Sequence, residues 1–338
     1  MPVEWHKSGL RLSGTELWLD ARRKTPLSFV SHAHTDHIAR HERVIATPAT
    51  LRIMQHRLGP LADTVALDYH QPFDVAGVRL ELFSAGHVLG SAQVRITRAD
   101  GHRVVYTGDL GLSSSLTAPP AELAPCDTLV IESTFGHPKY RFPPREEVFG
   151  QVVDWAQREL ARGQRPILYA YSLGKAQETI AQLAARGLPV CVHPSIHDIT
   201  LLYEELGVAI TSRRFEGEIR PGEVGVFPPF GRSQAMKRMP GRATAVLTGW
   251  ALEPWAARRY GADLAFPVSD HADFPSLVGW ARASGAREII TMHGFADELA
   301  QALRKEGLFA RAATQTVQME LGLGGTRPVP EPLRRKRR

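Results

Sequence analysis

Cysteine is nearly absent from this chain. Only Cys126 and Cys191 occur among its 338 residues, on unrelated strand-like segments, so no disulfide framework is implied and both read as reduced thiols. No segment reaches the ~18 consecutive apolar residues of a membrane span, although 43% of the chain is hydrophobic. The start, Met1-Pro2-Val3-Glu4-Trp5-His6, lacks the charged and apolar regions of a signal peptide. These absences predict a soluble, cytoplasmic protein without membrane contact. Short repeats are missing too, and low complexity is confined to the basic tail, which ends Leu333-Arg334-Arg335-Lys336-Arg337-Arg338. An acidic excess is also lacking. The chain has 41 Lys and Arg against 35 Asp and Glu, a net charge of +6. That balance fits a polyanionic partner, because Lys and Arg gain affinity by displacing counterions from phosphates. The tail reads equally as a solvated end or as a contact to such a partner.

What the chain does have is histidine in an unusual place. In Ser31-His32-Ala33-His34-Thr35-Asp36-His37, three His and one Asp fall within six residues, directly after the apolar run Leu27-Ser28-Phe29-Val30. A strand ending in such a loop can aim His32 and His34 at one metal ion and Asp36 and His37 at a second. Imidazole nitrogen and carboxylate oxygen suit zinc, and carboxylates also admit manganese. Further ligand types follow in order. His87 ends the alternating run Val78 to Phe83, and Asp109 follows Arg103-Val104-Val105. Glu132 follows Thr128 to Ile131, Asp270-His271 follows an apolar stretch, and His293 follows Glu288 to Thr291. Each polar residue stands where a strand gives way to a loop, which is where sheet-based sites are assembled. Two divalent ions about 3.5–4 Å apart can share a water, lower its pKa and polarise a phosphoryl oxygen.

This pattern resembles the metallo-β-lactamase superfamily and, within it, the β-CASP nuclease branch. The resemblance runs from about Trp18 to Phe295. The signature motif matches His32, His34, Asp36 and His37, and the next motifs match His87 and Asp109. Three motifs peculiar to the nucleases match Glu132 in Glu132-Ser133-Thr134-Phe135-Gly136, His271 in Ser269-Asp270-His271-Ala272-Asp273, and His293. The implied fold is a four-layer αββα sandwich of the α/β class carrying an inserted small α/β domain. The implied ligand set is His32, His34 and His87 on one ion, Asp36, His37 and His293 on the other, and Asp109 bridging both. His271 then stabilises the transition state or protonates the departing sugar oxygen, Glu132 orients it, and Asp20 buttresses the signature loop. In length and motif order the chain looks like the bacterial ligase-associated DNA exonucleases. That likeness implies a nuclease for single-stranded or end-containing DNA in repair, with functional association with a DNA ligase. A histidine at position 293 is instead typical of the RNA-cleaving branch, so an RNA-processing ribonuclease stays as the alternative, and DNA is favoured. Thioester or lactone hydrolysis, or a non-catalytic scaffold, fits less well because no expected ligand is missing.

After Gly136 the pattern changes. Arg145 to Leu160 predicts a helix with Phe149, Val152, Ala156 and Leu160 on one face, Pro166 to Tyr171 a buried strand, and Lys175 to Ala185 a second helix. Strand alternating with helix predicts a small parallel sheet. The expected division is 1–136 and 264–330 for the first domain, 137–263 for the inserted one, and 331–338 for the tail. The turn Tyr171-Ser172-Leu173-Gly174-Lys175 could be a simple connection. It could also cradle phosphate through backbone N–H groups at a helix start, with Ser172 and Lys175 adding contacts. The resemblance tips this towards phosphate binding. His41, His56 and His70 have no partner at ligand spacing, and His137, His193 and His197 fall in the inserted domain, where substrate contact stays open; surface or core roles are the default for each. Trp250 and Trp255 read as packing residues.

Overall fold

Alternating short strands in the first third of the chain pair into a sheet. In the computed structural model, which describes residues 2–229 and 239–313, six strands lie side by side in chain order. They are β1 (Val3–His6), β2 (Gly9–Leu12), β3 (Leu17–Leu19), β4 (Leu27–Phe29), β5 (Arg43–Ala46) and β6 (Asp63–Ala66). The pairing is antiparallel up to β3 and parallel from there on. Thr47 ends β5 and caps helix α1 (Pro48–Leu58), its hydroxyl accepting from Thr50 N at 3.2 Å, with Pro48 in the first turn where no N–H is needed.

A second sheet gathers β7 (Phe73–Val75), β8 (Val78–Ser84), β9 (Ala92–Thr97), β10 (Arg103–Tyr106) and β11 (Thr128–Glu132). Two strands from the far end of the described chain, β18 (Glu288–Met292) and β19 (Ala310–Ala312), join it beside β11, giving the order β19-β18-β11-β10-β9-β8-β7. Because strand side chains alternate, each sheet has two faces to cover. Leu12, Leu17, Phe29 and Ile45 from the first sheet meet Leu80, Leu82, Val94, Val104 and Val130 from the second. The alternate residues Val105, Leu129 and Ile131 face outward to α6 (Phe274–Ala283) and α7 (Ala296–Lys305), through Leu277, Ala281, Leu299 and Leu303. On the far side, Val44 and Ala46 pack under Leu51, Ile53 and Met54 of α1. The layers are helix, sheet, sheet, helix. Burial of each such aliphatic side chain contributes about 1.5–3 kcal/mol, so the paired faces dominate the sandwich.

The third sheet is wholly parallel, as expected where strands alternate with helices. Its strands are β12 (Arg165–Tyr169), β13 (Val190–Val192), β14 (Arg213–Arg214), β15 (Val224–Phe227), β16 (Arg242–Leu247) and β17 (Leu264–Phe266). They run in the order β14-β13-β15-β12-β16-β17. Helix α2 (Arg145–Ala161) leads into β12, and α3 (Lys175–Ala184), α4 (Pro194–Glu205) and α5 (Ala256–Tyr260) link strands of the sheet. Leu168, Val192 and Val226 of this sheet share one apolar cluster with α2, α3, α4, α1 and the outer face of the first sheet. The third sheet and the sandwich therefore pack as neighbours rather than as beads on a linker.

Two details differ from the sequence reading. Leu264–Phe266 pairs with β16, so the third sheet runs three residues beyond 263, ending before Pro267, which has no N–H to donate. Strand β12 ends at Tyr169, and Tyr171 is exposed rather than buried. The basic tail 331–338 lies outside the described residues, as does 314–330. Among the described residues, no helix is long and apolar enough to cross a membrane.

Candidate functional site

Strands β3, β4, β8, β10, β11 and β18 release their chains near one another, and most of the residues singled out in the sequence follow their C-terminal ends. His32, His34, Asp36 and His37 lie on the loop after β4, His87 after β8, Asp109 after β10 and His293 after β18, while Glu132 is the last residue of β11. Gly108 lets the β10 loop approach the β4 loop. A Cβ there would lie 2.5 Å from the Ser31 side chain, and its φ of 55° is one that L-residues seldom adopt.

One nitrogen each of His32, His34 and His87 converges with an oxygen of Asp109. His32 Nε2 is 2.9 Å from His34 Nδ1, which is 3.1 Å from His87 Nε2. Asp109 Oδ2 lies 3.5 Å from His32 Nε2 and 3.7 Å from His87 Nε2. Ligands held about 2.0–2.1 Å from a tetrahedral zinc are separated by about 3.3 Å, and this cluster brackets that spacing. The opposite ring nitrogens face oxygens: Ser31 Oγ behind His32 at 3.0 Å, Leu173 O behind His34 at 3.2 Å and Asp270 O behind His87 at 3.1 Å. Donation of the rear N–H to those oxygens leaves the front lone pairs aimed at one point. Burial, reinforced by the neighbouring imidazoles, pushes His32 and His87 well below the ordinary histidine value, and burial takes His34 down to about 4. Neutral imidazoles are the form that binds metal. The donor set thus fits a divalent ion.

Of the remaining expected ligands, His37 meets the same Asp109 oxygen, and Asp36 and His293 are neighbours of His37. His37 Nε2 is 3.4 Å from Asp109 Oδ2 and 3.7 Å from Asp36 Oδ2. The His293 ring centroid is 6.2 Å from that of His37. Burial opposes charge on His37, yet the Asp109 and Asp20 carboxylates lift it to about 10, while burial raises Asp109 to about 6. Asp20, at φ 47°, sits behind them. Its Oδ2 accepts from His37 Nδ1 at 2.8 Å, Ser31 Oγ at 2.5 Å and Tyr106 OH at 2.7 Å, and its Oδ1 from Ser31 N at 2.7 Å. With those donors in place it has little capacity left for a metal, although it is close to His32 and His37. It is a brace, and two of its partners, Ser31 and Tyr106, were not singled out in the sequence despite flanking the motifs.

His271 stands at the rim of this centre. Its Nδ1 donates to Glu132 Oε1 at 3.0 Å, and its Nε2 is 4.0 Å from Asp109 Oδ2. Glu132 is fully buried and also accepts from Leu110 N at 2.6 Å and Thr134 N at 3.2 Å. Burial opposes the His271 charge, but Glu132 and then Asp109 raise it to about 9.

The cleft above has a volume of about 640 Å³ and is bordered by both the sandwich and the third-sheet unit, including His34, His271, Ser172, Lys175, Phe135 and Trp250. Ser172 faces it, with Oγ 3.5 Å from Ser195 Oγ. Lys175 also borders it, but its Nζ is 2.8 Å from Asp270 Oδ2 with both side chains buried. Arg145 Nη2 reaches the other Asp270 oxygen at 3.3 Å. Sequence spacing carried no signal of this pairing, because Lys175 and Asp270 are 95 residues apart. The other histidines lie elsewhere: His41 Nδ1 accepts from Thr25 N, His70 pairs with Glu122, and His193 caps α4. Trp250 packs against Phe135 and Tyr140, whereas Trp255 is 44% exposed and so differs from a packing residue.

An αββα sandwich with His- and Asp-rich clusters at its strand ends and a neighbouring parallel sheet defines a metallohydrolase fold. Residues 19–168 match the beta-lactamase superfamily domain. The chain is 38% identical over 327 residues to a "Probable DNA ligase" of Opitutus terrae, covering 95% of this chain and 32% of that protein. It is 25% identical over 208 residues to an "RNase J-like protein" of Methanocaldococcus jannaschii, covering 52% and 48%. A "Transcription termination factor FttA" of Pyrococcus abyssi matches at 29% over 185 residues, covering 51% and 28%. Residues 19–168 thus belong to the beta-lactamase superfamily, and the chain is related to proteins named as RNases and as a probable DNA ligase. It spans between about a quarter and a half of the length of these curated relatives.

Proposed function

We propose that this chain is a metal-dependent phosphodiesterase acting on nucleic acid, DNA in preference to RNA, and that it shortens single-stranded or end-containing DNA during repair in the cytoplasm. The observation that carries this reading is the Glu132–His271 pair beside the four convergent ligand atoms at the base of the cleft. His32, His34 and His87 would hold one divalent ion, Asp36, His37 and His293 a second, with Asp109 common to both; zinc and manganese are the candidates. Such ions supply Lewis acidity for the phosphoryl oxygens and lower the pKa of a bound water.

The protein's own groups do the rest. Glu132 accepts a hydrogen bond from His271 Nδ1 and thereby turns Nε2 towards the centre. Held protonated up to about pH 9, that Nε2 can donate to the departing sugar oxygen or stabilise the negative charge of the five-coordinate phosphorus. Departure of the 3′ oxygen leaves the downstream product with a 5′-phosphate. Asp20 fixes the His37 ring through Nδ1, so that only Nε2 faces the reacting groups. Ser172, which lines the cleft wall, would meet a phosphate of the strand.

DNA is favoured because the Opitutus relative bears a ligase name and aligns with 95% of this chain, which also suits a functional association with DNA ligase. The relative named as RNase J-like, a further relative named "RNase aCSPSF2", and the histidine at position 293 favour RNA processing as the second reading. End-labelled single strands of DNA and RNA of one sequence, incubated with zinc or manganese, separate the two. DNA should shorten faster. Faster loss of the RNA would replace this reading with the second.

A further inference from the structure

We propose that exposed aromatic side chains at the mouth of the cleft form a stacking ledge for the unpaired bases of a single-stranded polynucleotide, an inference that rests on the nuclease reading above. Aromatic rings run outward from the centre in a row. The His271 and Phe135 centroids are 6.1 Å apart, Phe135 and Trp250 4.9 Å, and Trp250 and Trp255 6.2 Å with ring planes 31° apart. Phe135 is buried, Trp250 borders the cleft, and Trp255 is 44% exposed. Tyr171 also borders the cleft and is 47% exposed. Its hydroxyl lies 3.4 Å from that of Tyr260, the last residue of α5, and Trp255 immediately precedes that helix. Two large exposed rings are thus tied to opposite ends of one short helix.

Tyr171 and Trp250 border the cleft, and the exposed Trp255 extends this aromatic surface beyond Trp250. The surrounding charge says which occupant it suits. Arg259 lies 5.8 Å from the Trp255 ring centroid, Arg258 is next to it, and both are exposed without an acidic partner among the described residues. Flat apolar rings beside free guanidinium groups match a chain of bases joined by phosphates. Single strands offer open base faces to such rings, whereas a duplex keeps its bases stacked on one another. Stacking of this kind is indifferent to base identity, because every base has a π face.

The test uses metal-replete protein and fluorescence anisotropy with labelled phosphorothioate oligothymidylate and oligouridylate, which resist cleavage, alongside an abasic oligomer of equal length. Trp255→Ala should weaken binding of the base-bearing strands by about tenfold. Trp255→Phe should retain it, and Tyr171→Ala should show a smaller loss. The salt dependence should keep its slope, since no charge is removed. The abasic oligomer should bind wild type and Trp255→Ala equally. Loss on the thymidylate strand, the uridylate strand or both supports the ledge and says which strand it accepts. If wild-type protein cleaves strands while Trp255→Ala binds them at full affinity, the ledge alone is overturned. Equal loss on the abasic oligomer overturns it as well. A wild-type protein that binds none of the strands overturns the nuclease reading with it.

Discussion

On one side of Asp109, His32, His34 and His87 are each held from behind by a protein oxygen, and the rings of His32 and His87 are almost wholly buried. On the other side, His37 is braced by Asp20, but the Asp36 side chain is 69% exposed, and His293 sits on a residue with φ 64°. Of the proposed ligands, the first group is held by the protein itself, whereas the second combines a braced His37 with an exposed Asp36. A non-glycine residue held in the left-handed region costs on the order of 1–3 kcal/mol. At His293 that conformation is supported by Ser133 Oγ, which donates to the His293 carbonyl at 2.6 Å. The contrast teaches that one shared carboxylate can serve a preorganised pocket and an adaptable one.

The largest effect should come from the shared residue. Asp109→Asn should empty both sides, and cleavage should fall by more than the ~10²–10⁴-fold that loss of a general acid costs. Cleavage rates together with elemental analysis check this.

Next comes His271, which belongs to neither side. His271→Ala should keep the metal content while slowing cleavage by about 10²–10⁴-fold. The pH profile sharpens the assignment. Glu132 lifts the His271 pKa to about 9, so the donor form is present below that pH and lost as the pH rises through it. In Glu132→Gln that support is gone, and the alkaline limb should move to lower pH. An unmoved limb would mean that another group sets it.

A smaller and selective effect is expected from the open side. His293→Val should weaken only the second ion, by roughly 10–100-fold if it behaves as other tuning residues around a metal do. Competition with a chromophoric chelator would read this out. Equal weakening of both ions would erase the distinction between the two sides.

The smallest effect on catalysis should come from Lys175. As one of two cations on the buried Asp270, it should matter for stability: Lys175→Ala leaves that carboxylate to Arg145 alone, a loss below the about 3–5 kcal/mol of a buried charge left unpaired. A lowered melting temperature with an unchanged salt slope for DNA binding is the expected outcome. A slope shallower by about one unit would restore Lys175 as a phosphate contact.

Much of the sandwich was legible because its strands alternate and stop at polar residues, as Val78–Ser84 does before His87. The signature loop was legible because its ligand types are packed into six residues. Long-range pairing was not. Asp20 looked like one carboxylate at a strand end, and nothing in its spacing pointed to Tyr106, 86 residues away, as a donor to it. Lys175 looked like a free cation at a helix start because Asp270, its partner, arrives only after the third sheet is complete. Trp255 looked like packing material, since an aromatic residue in sequence does not disclose its exposure. The strand Leu264–Phe266 escaped because three residues carry no readable period.

Titration of metal-stripped protein with zinc, followed by calorimetry and elemental analysis, tests the two-sided centre most directly. Wild type should bind two ions in separable steps. His293→Val should keep the tighter step and lose or weaken the other, and Asp109→Asn should lose both. A single step in the wild type, or two ions retained by Asp109→Asn, would contradict the account.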